Sequence, residues 1–412
     1  MPTLVALNKN TETDVRLRIL ATLFFTMTIS ACHAETIVTE PILVDQDPTI
    51  DRSHFDKIVP ALLSEHEVAG VGIGIIRNDK LVWTGYYGEQ GPGIPVTDQT
   101  VFNTASVAKT ITAETMIALA AKKLINLDEP IASYVQYKDL SKDERYQTLT
   151  ARILLSHRGG LLNWAYEYDD NKLAFDHNPD TRFSYSGAGI QLAAEYAEAK
   201  LGVDFEQLAF DHLLRPLGIE EISMGRRRAW MRDRLAKPMD AAGRYRRITK
   251  LNPGLRGNNW QASDDLLTTV KAYAKLLEGL ARSEWLSEEW VEQRTELRTH
   301  FEGDPLWGCE PAMAIICPDS YGHGIGWQIY RYGDHTVLKH SGNDAGENAL
   351  VYYSPTTRNG AVIAVNGANG WFVSVRILEL IGDEPLIADY YRALIQKHYG
   401  LAYPPLEDAY PR

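Results

Sequence analysis

Phe102-Asn103-Thr104-Ala105-Ser106-Val107-Ala108-Lys109-Thr110 is the stretch whose reading decides the fold, because it sets a serine and a lysine three residues apart where a helix is predicted to begin. Residues 110–124 carry Ile111, Met116, Ile117, Leu119 and Ala120 at helical spacing with no proline. Positions i and i+3 share a helix face, so the Lys109 amine can lie beside the Ser106 hydroxyl. A serine hydroxyl becomes a competent nucleophile once a neighbour takes its proton, and a lysine in desolvated or electropositive surroundings can do this. A lone Ser-x-x-Lys is expected about once by chance in a chain this long, so its meaning depends on what surrounds it.

Upstream, Ser53 and Asp56 have the spacing of a capping box, and Phe55, Ile58, Val59, Leu62 and Leu63 follow on one helical face. Residues 71–76 and 81–87 predict a β-hairpin around a polar turn at 77–80. Downstream, about 112 to 310 reads as mostly helical, with loops at 137–150, 157–185 and 225–262 and helices predicted over 189–201, 204–213 and 262–281. Strand patterns return at 324–330, 336–341, 349–353 and 360–365, as in an antiparallel meander, and helices over 371–382 and 384–398 finish the chain. A sheet built from both ends of the chain, with a helical segment inserted between them, is the economical architecture.

With 45% hydrophobic and 23% charged residues in 412, the chain can bury a large core, and disordered and collagen-like classes are excluded. A net charge of −12 speaks against nucleic acid as the main partner. The arginines at 226, 227, 228, 232 and 234 and at 244, 246 and 247 read as a solvated or ion-paired face. Residues 1–31 read as a signal peptide: Lys9, Arg16 and Arg18 precede an apolar run over 19–31 too short to span a bilayer. Ile29-Ser30-Ala31-Cys32 resembles a bacterial lipobox, which would make Cys32 the acylated N-terminus of a periplasmic lipoprotein; cleavage after Ala34 is the competing reading. Residues 32–52 suit a tether. Cys309 and Cys317 stand eight apart, and an oxidising compartment would let them close a local disulfide.

An acyl-transfer serine also needs a proton route to the leaving group and donors for the oxyanion. Two further pieces could provide them: Phe183-Ser184-Tyr185-Ser186-Gly187 ahead of a helix, and Lys339-His340-Ser341-Gly342-Asn343 ending a strand. With Ser106-x-x-Lys109, in that order, they resemble the serine β-lactamase and penicillin-binding-protein superfamily, specifically the class C-like branch that also holds family VIII carboxylesterases and D-aminopeptidases. Ile153-Leu154-Leu155-Ser156-His157-Arg158-Gly159-Gly160-Leu161, Leu214-Arg215-Pro216-Leu217-Gly218 and Tyr321-Gly322-His323-Gly324-Ile325-Gly326-Trp327 are similar to further stretches of that branch.

The resemblance implies an α/β (α+β) β-lactamase/transpeptidase-like fold over 53–400, with a sheet subdomain at about 53–110 and 320–400, a helical one at about 111–319, and a tail at 401–412. It implies that Ser106 is acylated, that Lys109 is its base or proton partner, and that Tyr185 shuttles the proton to the leaving group. Backbone N–H groups of Ser106 and Asn343 would form the oxyanion hole, with His340, Ser341, Gly342 and Gly187 around the substrate and no cofactor or metal. Two departures bear on substrate. Gly187 stands where the family has an asparagine that holds an acylamide, and His340 stands where it has a lysine. Lys339 points to the opposite strand face, and His340 is expected to be a weak, pH-dependent carboxylate partner. His157 is expected to be structural, and Trp307, Trp327 and Trp371 core or cleft wall. The expected function is a serine hydrolase acting through an acyl-enzyme on a small ester or amide, esterase-like or D-amino-peptide-like. The alternatives are a β-lactamase or D,D-carboxypeptidase, and a non-catalytic binder of cell-wall fragments.

Overall fold

The computed structural model describes residues 50–247, 260–282, 286–310, 313 and 316–406; Cys32 and the expected leader lie outside the described residues. Helix α1 (Arg52–Glu65) buries Phe55, Val59, Leu62 and Leu63, the face that the spacing predicts. Its cap differs from the expected one. Asp51 accepts from the His54 N–H at 3.3 Å and from the Ser53 hydroxyl at 2.6 Å, while Asp56 accepts from the Tyr87 hydroxyl at 2.8 Å and ties α1 to the sheet. The hairpin of β1 (Gly70–Arg77) and β2 (Lys80–Gly91) turns at Asn78 and Asp79, both at positive φ, as a primed two-residue turn requires.

Beyond β3 (Ile94–Pro95) and β4 (Phe102–Asn103) the chain leaves the sheet through α2 (Ala108–Ala121), α3 (Ala151–Leu155), α4 (Gly187–Leu201) and α5 (Phe205–Ala209). It returns through β5 (Ile222–Met224), β6 (Leu266–Thr268), α6 (Val270–Arg282) and α7 (Glu288–Thr295). The meander is β7 (Ser320–His323), β8 (Gln328–Tyr332), β9 (His335–Asp344), β10 (Glu347–Ser354) and β11 (Asn359–Val365), followed by α8 (Gly370–Ile381) and α9 (Pro385–Tyr399). Among the described residues the main sheet has eight strands in the order β3-β2-β1-β11-β10-β9-β8-β7, and β1 lies antiparallel to β11, Val71 opposite Val365. Both chain ends therefore build one sheet, with a mostly helical insertion.

One sheet face packs Val71, Ile73, Tyr330 and Val337 against α1, α8 and α9; the other packs Leu338, Val351 and Val362 with α2, α4 and α6. Two readings of periodicity are corrected. Residues 262–269 are not helical: Asp265 takes a left-handed φ of 53°, and β6 pairs with β4 and β5, so the helix begins only at Val270. Residues 324–327 are the link between β7 and β8 rather than strand, with the Gly326 N–H donating to the Leu155 carbonyl at 3.0 Å.

One buried ion pair lies beneath the insertion. Arg294 donates to Glu114 Oε2 from Nε at 3.1 Å and from a terminal nitrogen at 2.9 Å, and Trp327 Nε1 donates to Glu114 Oε1 at 2.9 Å. The arginine-rich loop is ion-paired as expected: Arg226 and Arg228 with Glu206, and Arg234 with Glu221. Cys309 and Cys317 are joined as a disulfide.

Candidate active site

The chain reaches Ser106 through a constrained bend. Ala105 lies at φ +46°, uncommon for a residue with a Cβ, and its N–H donates to Asn103 Oδ1 at 2.9 Å. The Asn103 amide donates in turn to Asp265 Oδ1 at 2.9 Å and Glu347 Oε2 at 3.1 Å, fixing the bend to two other segments. Ser106 thus sits in one 3₁₀ turn, Ala105–Val107, that runs on into α2. Lys109, 1% exposed, reaches back one turn: its Nζ donates to Ser106 Oγ at 2.9 Å and to the Ser263 carbonyl at 2.6 Å.

Tyr185 arrives from the loop ahead of α4, and Lys109 Nζ stands 4.7 Å from its ring centre. Behind that ring lies His157, with centroids 4.4 Å apart, held because its Nδ1 accepts from the Ser186 N–H at 3.0 Å. His157 is fully buried at φ +57°, and burial, with His323, Lys109 and His340 nearby, keeps its imidazole well below its usual pKa. Its place behind the tyrosine is a structural one.

Strand β9 completes the site. β8 pairs with it only as far as Gln328 opposite Lys339, so residues 340–344 run past the end of β8. A Cβ on Gly342 would lie 1.9 Å from the Thr104 carbonyl oxygen and 3.1 Å from the Ser106 nitrogen, so only glycine lets this backbone meet the serine turn. Ser106, Tyr185, His340, Ser341 and Asn343 then share one cleft of about 160 Å³.

A sequence model of the beta-lactamase family matches residues 55–379. The chain belongs to the beta-lactamase family. It is 27% identical over 187 residues to penicillin-binding protein 4 of Amycolatopsis lactamdurans, which covers 42% of this chain and 49% of that protein. It therefore spans about half the length of the first curated relatives it matches. In fold it is similar to a D-alanine carboxypeptidase AmpC from Burkholderia cenocepacia, with TM-score 0.63 at 19% identity over 79% of this chain and 98% of that one. It is also similar to a D-amino acid amidase from Ochrobactrum anthropi, with TM-score 0.60 at 20% identity over 84% and 99%. Members of this family are serine hydrolases acting on small ester, amide or peptide substrates.

The two departures from the family pattern acquire a physical account. A Cβ on Gly187 would lie 2.6 Å from Trp164 Cζ2, so the indole occupies the space that a side chain at this position would need. At His340, Nδ1 faces the Ser341 carbonyl at 2.8 Å; a carbonyl only accepts, so Nδ1 carries the proton and Nε2 is left as a buried acceptor without a partner among the described residues. Burial first, then His323, Lys109 and Lys339, hold this imidazole well below its ordinary pKa. Both the bond at Nδ1 and the burial favour the neutral imidazole over the charged form that a carboxylate partner would need.

Lys339 lies behind the cleft. Its Nζ donates to Gln328 Oε1 and Ser341 Oγ, each at 3.1 Å, among the rings of Tyr391 at 4.5 Å and Trp307 and Trp371 at 5.5 Å, and burial pushes its pKa well down. Trp327 and Trp371 belong to the core, and Trp307 to the cleft wall. Sequence reading missed Asn163, Trp164, Tyr166, Asp264, Gln328 and Asp344, which also line the cleft. Asn163 and Trp164 come just after the Gly159-Gly160-Leu161 turn, which marks their loop but not the roles of their side chains; Asp264 was hidden in a stretch with helical spacing. Asp264 keeps some surface open to the cleft, but its carboxyl is enclosed. Burial pushes its pKa up to about 7, with Lys109 opposing and Asp265 and Asp344 reinforcing the rise.

Proposed function

We propose that the protein is a serine hydrolase working through an acyl-enzyme on a small ester or amide, esterase-like or D-amino-peptide-like in substrate. The observation that carries this reading is Lys109 Nζ at 2.9 Å from Ser106 Oγ beside the Tyr185 ring. Ser106 Oγ attacks the scissile carbonyl while its proton passes to the Lys109–Tyr185 pair. The oxyanion is held by the Ser106 and Asn343 N–H groups. The carbonyl–leaving-group bond breaks as Tyr185 delivers a proton to the leaving oxygen or nitrogen, and water then splits the Ser106 ester by the same steps. The substrate preference is supported by a His340 whose charging burial opposes, the covered Gly187 and a cleft whose described lining has no lysine or arginine, which together give a substrate carboxylate little to pair with.

A second reading, β-lactamase or D,D-carboxypeptidase, is favoured by Lys339 Nζ backing the Ser341 hydroxyl from behind. Fluorophosphonate labelling with competition by esters, D-amino-acid amides and a cephalosporin separates the readings. Labelling at Ser106 that is lost in Ser106→Ala and outcompeted by esters or amides is expected. Rapid cephalosporin turnover would install the second reading, and saturable muropeptide binding with no adduct would indicate a non-catalytic binder. We also propose export to the periplasm with Cys32 lipidated. Palmitate incorporation by the full chain in a bacterial host, lost in Cys32→Ala, tests this.

A further inference from the structure

One wall of the catalytic cleft comes from a segment outside the three motifs. Leu306, 42% exposed, and Trp307, 7% exposed, line the cleft with Ser106 and Tyr185, and both belong to a tight turn at 304–309. Asp304 Oδ1 accepts from the N–H groups of Leu306 and Trp307, each at 2.9 Å, and the Asp304 carbonyl accepts from the Gly308 N–H at 2.8 Å. A Cβ on Gly308 would lie 2.4 Å from that carbonyl oxygen, so only glycine closes the turn. Helix α9 holds it from behind. The Tyr390 hydroxyl donates to the Trp307 carbonyl at 2.5 Å, Lys397 Nζ to the Gly308 carbonyl at 3.1 Å, and His398 Nε2 to the Leu306 carbonyl at 2.8 Å. At its end the Cys309 N–H donates to the Tyr321 hydroxyl on β7 at 2.8 Å, and the disulfide ties Cys309 to Cys317, three residues ahead of β7. The turn is thereby fastened covalently to the edge of the main sheet.

The neighbours of Trp307 place this wall on the Tyr185 side of the cleft. Its ring stacks on Phe301 at 5.8 Å, Phe301 packs edge-on against Phe183 at 5.2 Å, and Phe183 stands two residues before Tyr185. Tyr185 is the residue that delivers a proton to the leaving atom, so the wall borders the leaving group. We propose that the turn at 304–309 is a specificity wall, Leu306 and Trp307 receiving an apolar substituent of the leaving group and Cys309 and Cys317 acting as positioning residues that hold them there. This rests on the acyl-enzyme reading and extends it to the leaving group, with preference for leaving groups that carry hydrocarbon over bare ones.

The test compares phenyl acetate with 4-propylphenyl acetate, which share the acyl group and differ only in hydrocarbon on the leaving group. The quantity read is the ratio of their kcat/KM values in the wild type, in Leu306→Ala and in the pair Cys309→Ala with Cys317→Ala. The wild type is expected to prefer the propyl ester about 3–10-fold, the scale of one or two buried methylenes. Both variants should lose most of that preference, through a higher KM for the propyl ester rather than a lower kcat. A disulfide that served stability alone would change both esters equally and leave the ratio as it was. Leu306 is exposed enough that its truncation opens no core cavity, so the wall is tested even where loss of the disulfide weakens the fold. A wild type that does not discriminate, or a ratio indifferent to Leu306→Ala, overturns the wall; a ratio kept by the folded cysteine variant overturns the positioning role of the disulfide. Fluorophosphonate labelling at Ser106 without turnover of either ester counts against the wall and leaves the nucleophile standing. No labelling and no turnover overturns the acyl-enzyme reading and the wall with it.

Discussion

Lys109 Nζ is bonded at once to Ser106 Oγ, 2.9 Å away on its own chain segment, and to the Ser263 carbonyl, 2.6 Å away across 154 residues of sequence. The first contact follows from helical spacing; the second aims the amine. Replacing Lys109 with methionine, which retains the apolar stem, is expected to lower kcat/KM for ester substrates by about 10²–10⁴, the range of a lost general acid–base group. Stopped-flow acylation with a p-nitrophenyl ester measures it, and a loss below tenfold would remove Lys109 from proton transfer.

Glu114 and Arg294 form a pair whose side chains are almost wholly buried, and Glu114 also takes the Trp327 indole N–H. Leaving one charge unpaired in such a place costs about 3–5 kcal/mol. Glu114→Ala and Arg294→Met are each expected to destabilise by that amount, read as urea midpoints, with the double substitution costing less than their sum.

Asp264 should make the protein less stable at higher pH. The unfolded carboxyl ionises near 3.8 and the folded one near about 7, so between those values the folded chain holds a proton that the unfolded chain has released. Stability is lost as pH rises across that window. Asp264→Asn is therefore expected to raise Tm at pH 8 relative to its effect at pH 4, by about 2–4 °C. An equal effect at both pH values would contradict the assignment.

His323 acts with the opposite sign. It is fully buried among Phe183, Phe301 and the rings of His157 and His340, and burial with Lys109 and Lys339 lowers its pKa to about 3. Below its ordinary 6.5 the unfolded chain takes a proton that the folded one refuses, so stability is lost as pH falls toward 3. His323→Phe should flatten this acid slope by up to about 1.4 kcal/mol per pH unit. Denaturant unfolding from pH 6 to about 4, compared with wild type, measures the difference despite the opposing contribution of Asp264.

The cleft divides between what one segment encodes and what two segments make together. Ser106, Lys109, Tyr185 and the 340–343 strand end were legible because each lies in a short motif with its own spacing. Asn163 and Asp264 were not, because their roles arise from packing: one caps a helix of another segment, and the other borders the carbonyl that holds Lys109. Helical spacing carried the predicted helix of 262–281 too far toward its N-terminus for the same reason, since over 262–269 pairing of β6 with β4 and β5 overrode local preference.

By itself the sequence determined the family, the two-ended sheet with its helical insertion, and the order of the three motifs, because periodicity and motif spacing are local properties of a chain. Only the tertiary structure decided the polarity of the cleft. That burial opposes charging of the His340 imidazole while a carbonyl holds its proton on Nδ1, that Lys339 sits behind Ser341, and that Trp164 fills the space over Gly187 while Asn163 caps α4 all depend on burial and hydrogen bonds between distant segments. Those contacts exist only once the sheet and the insertion have closed on each other.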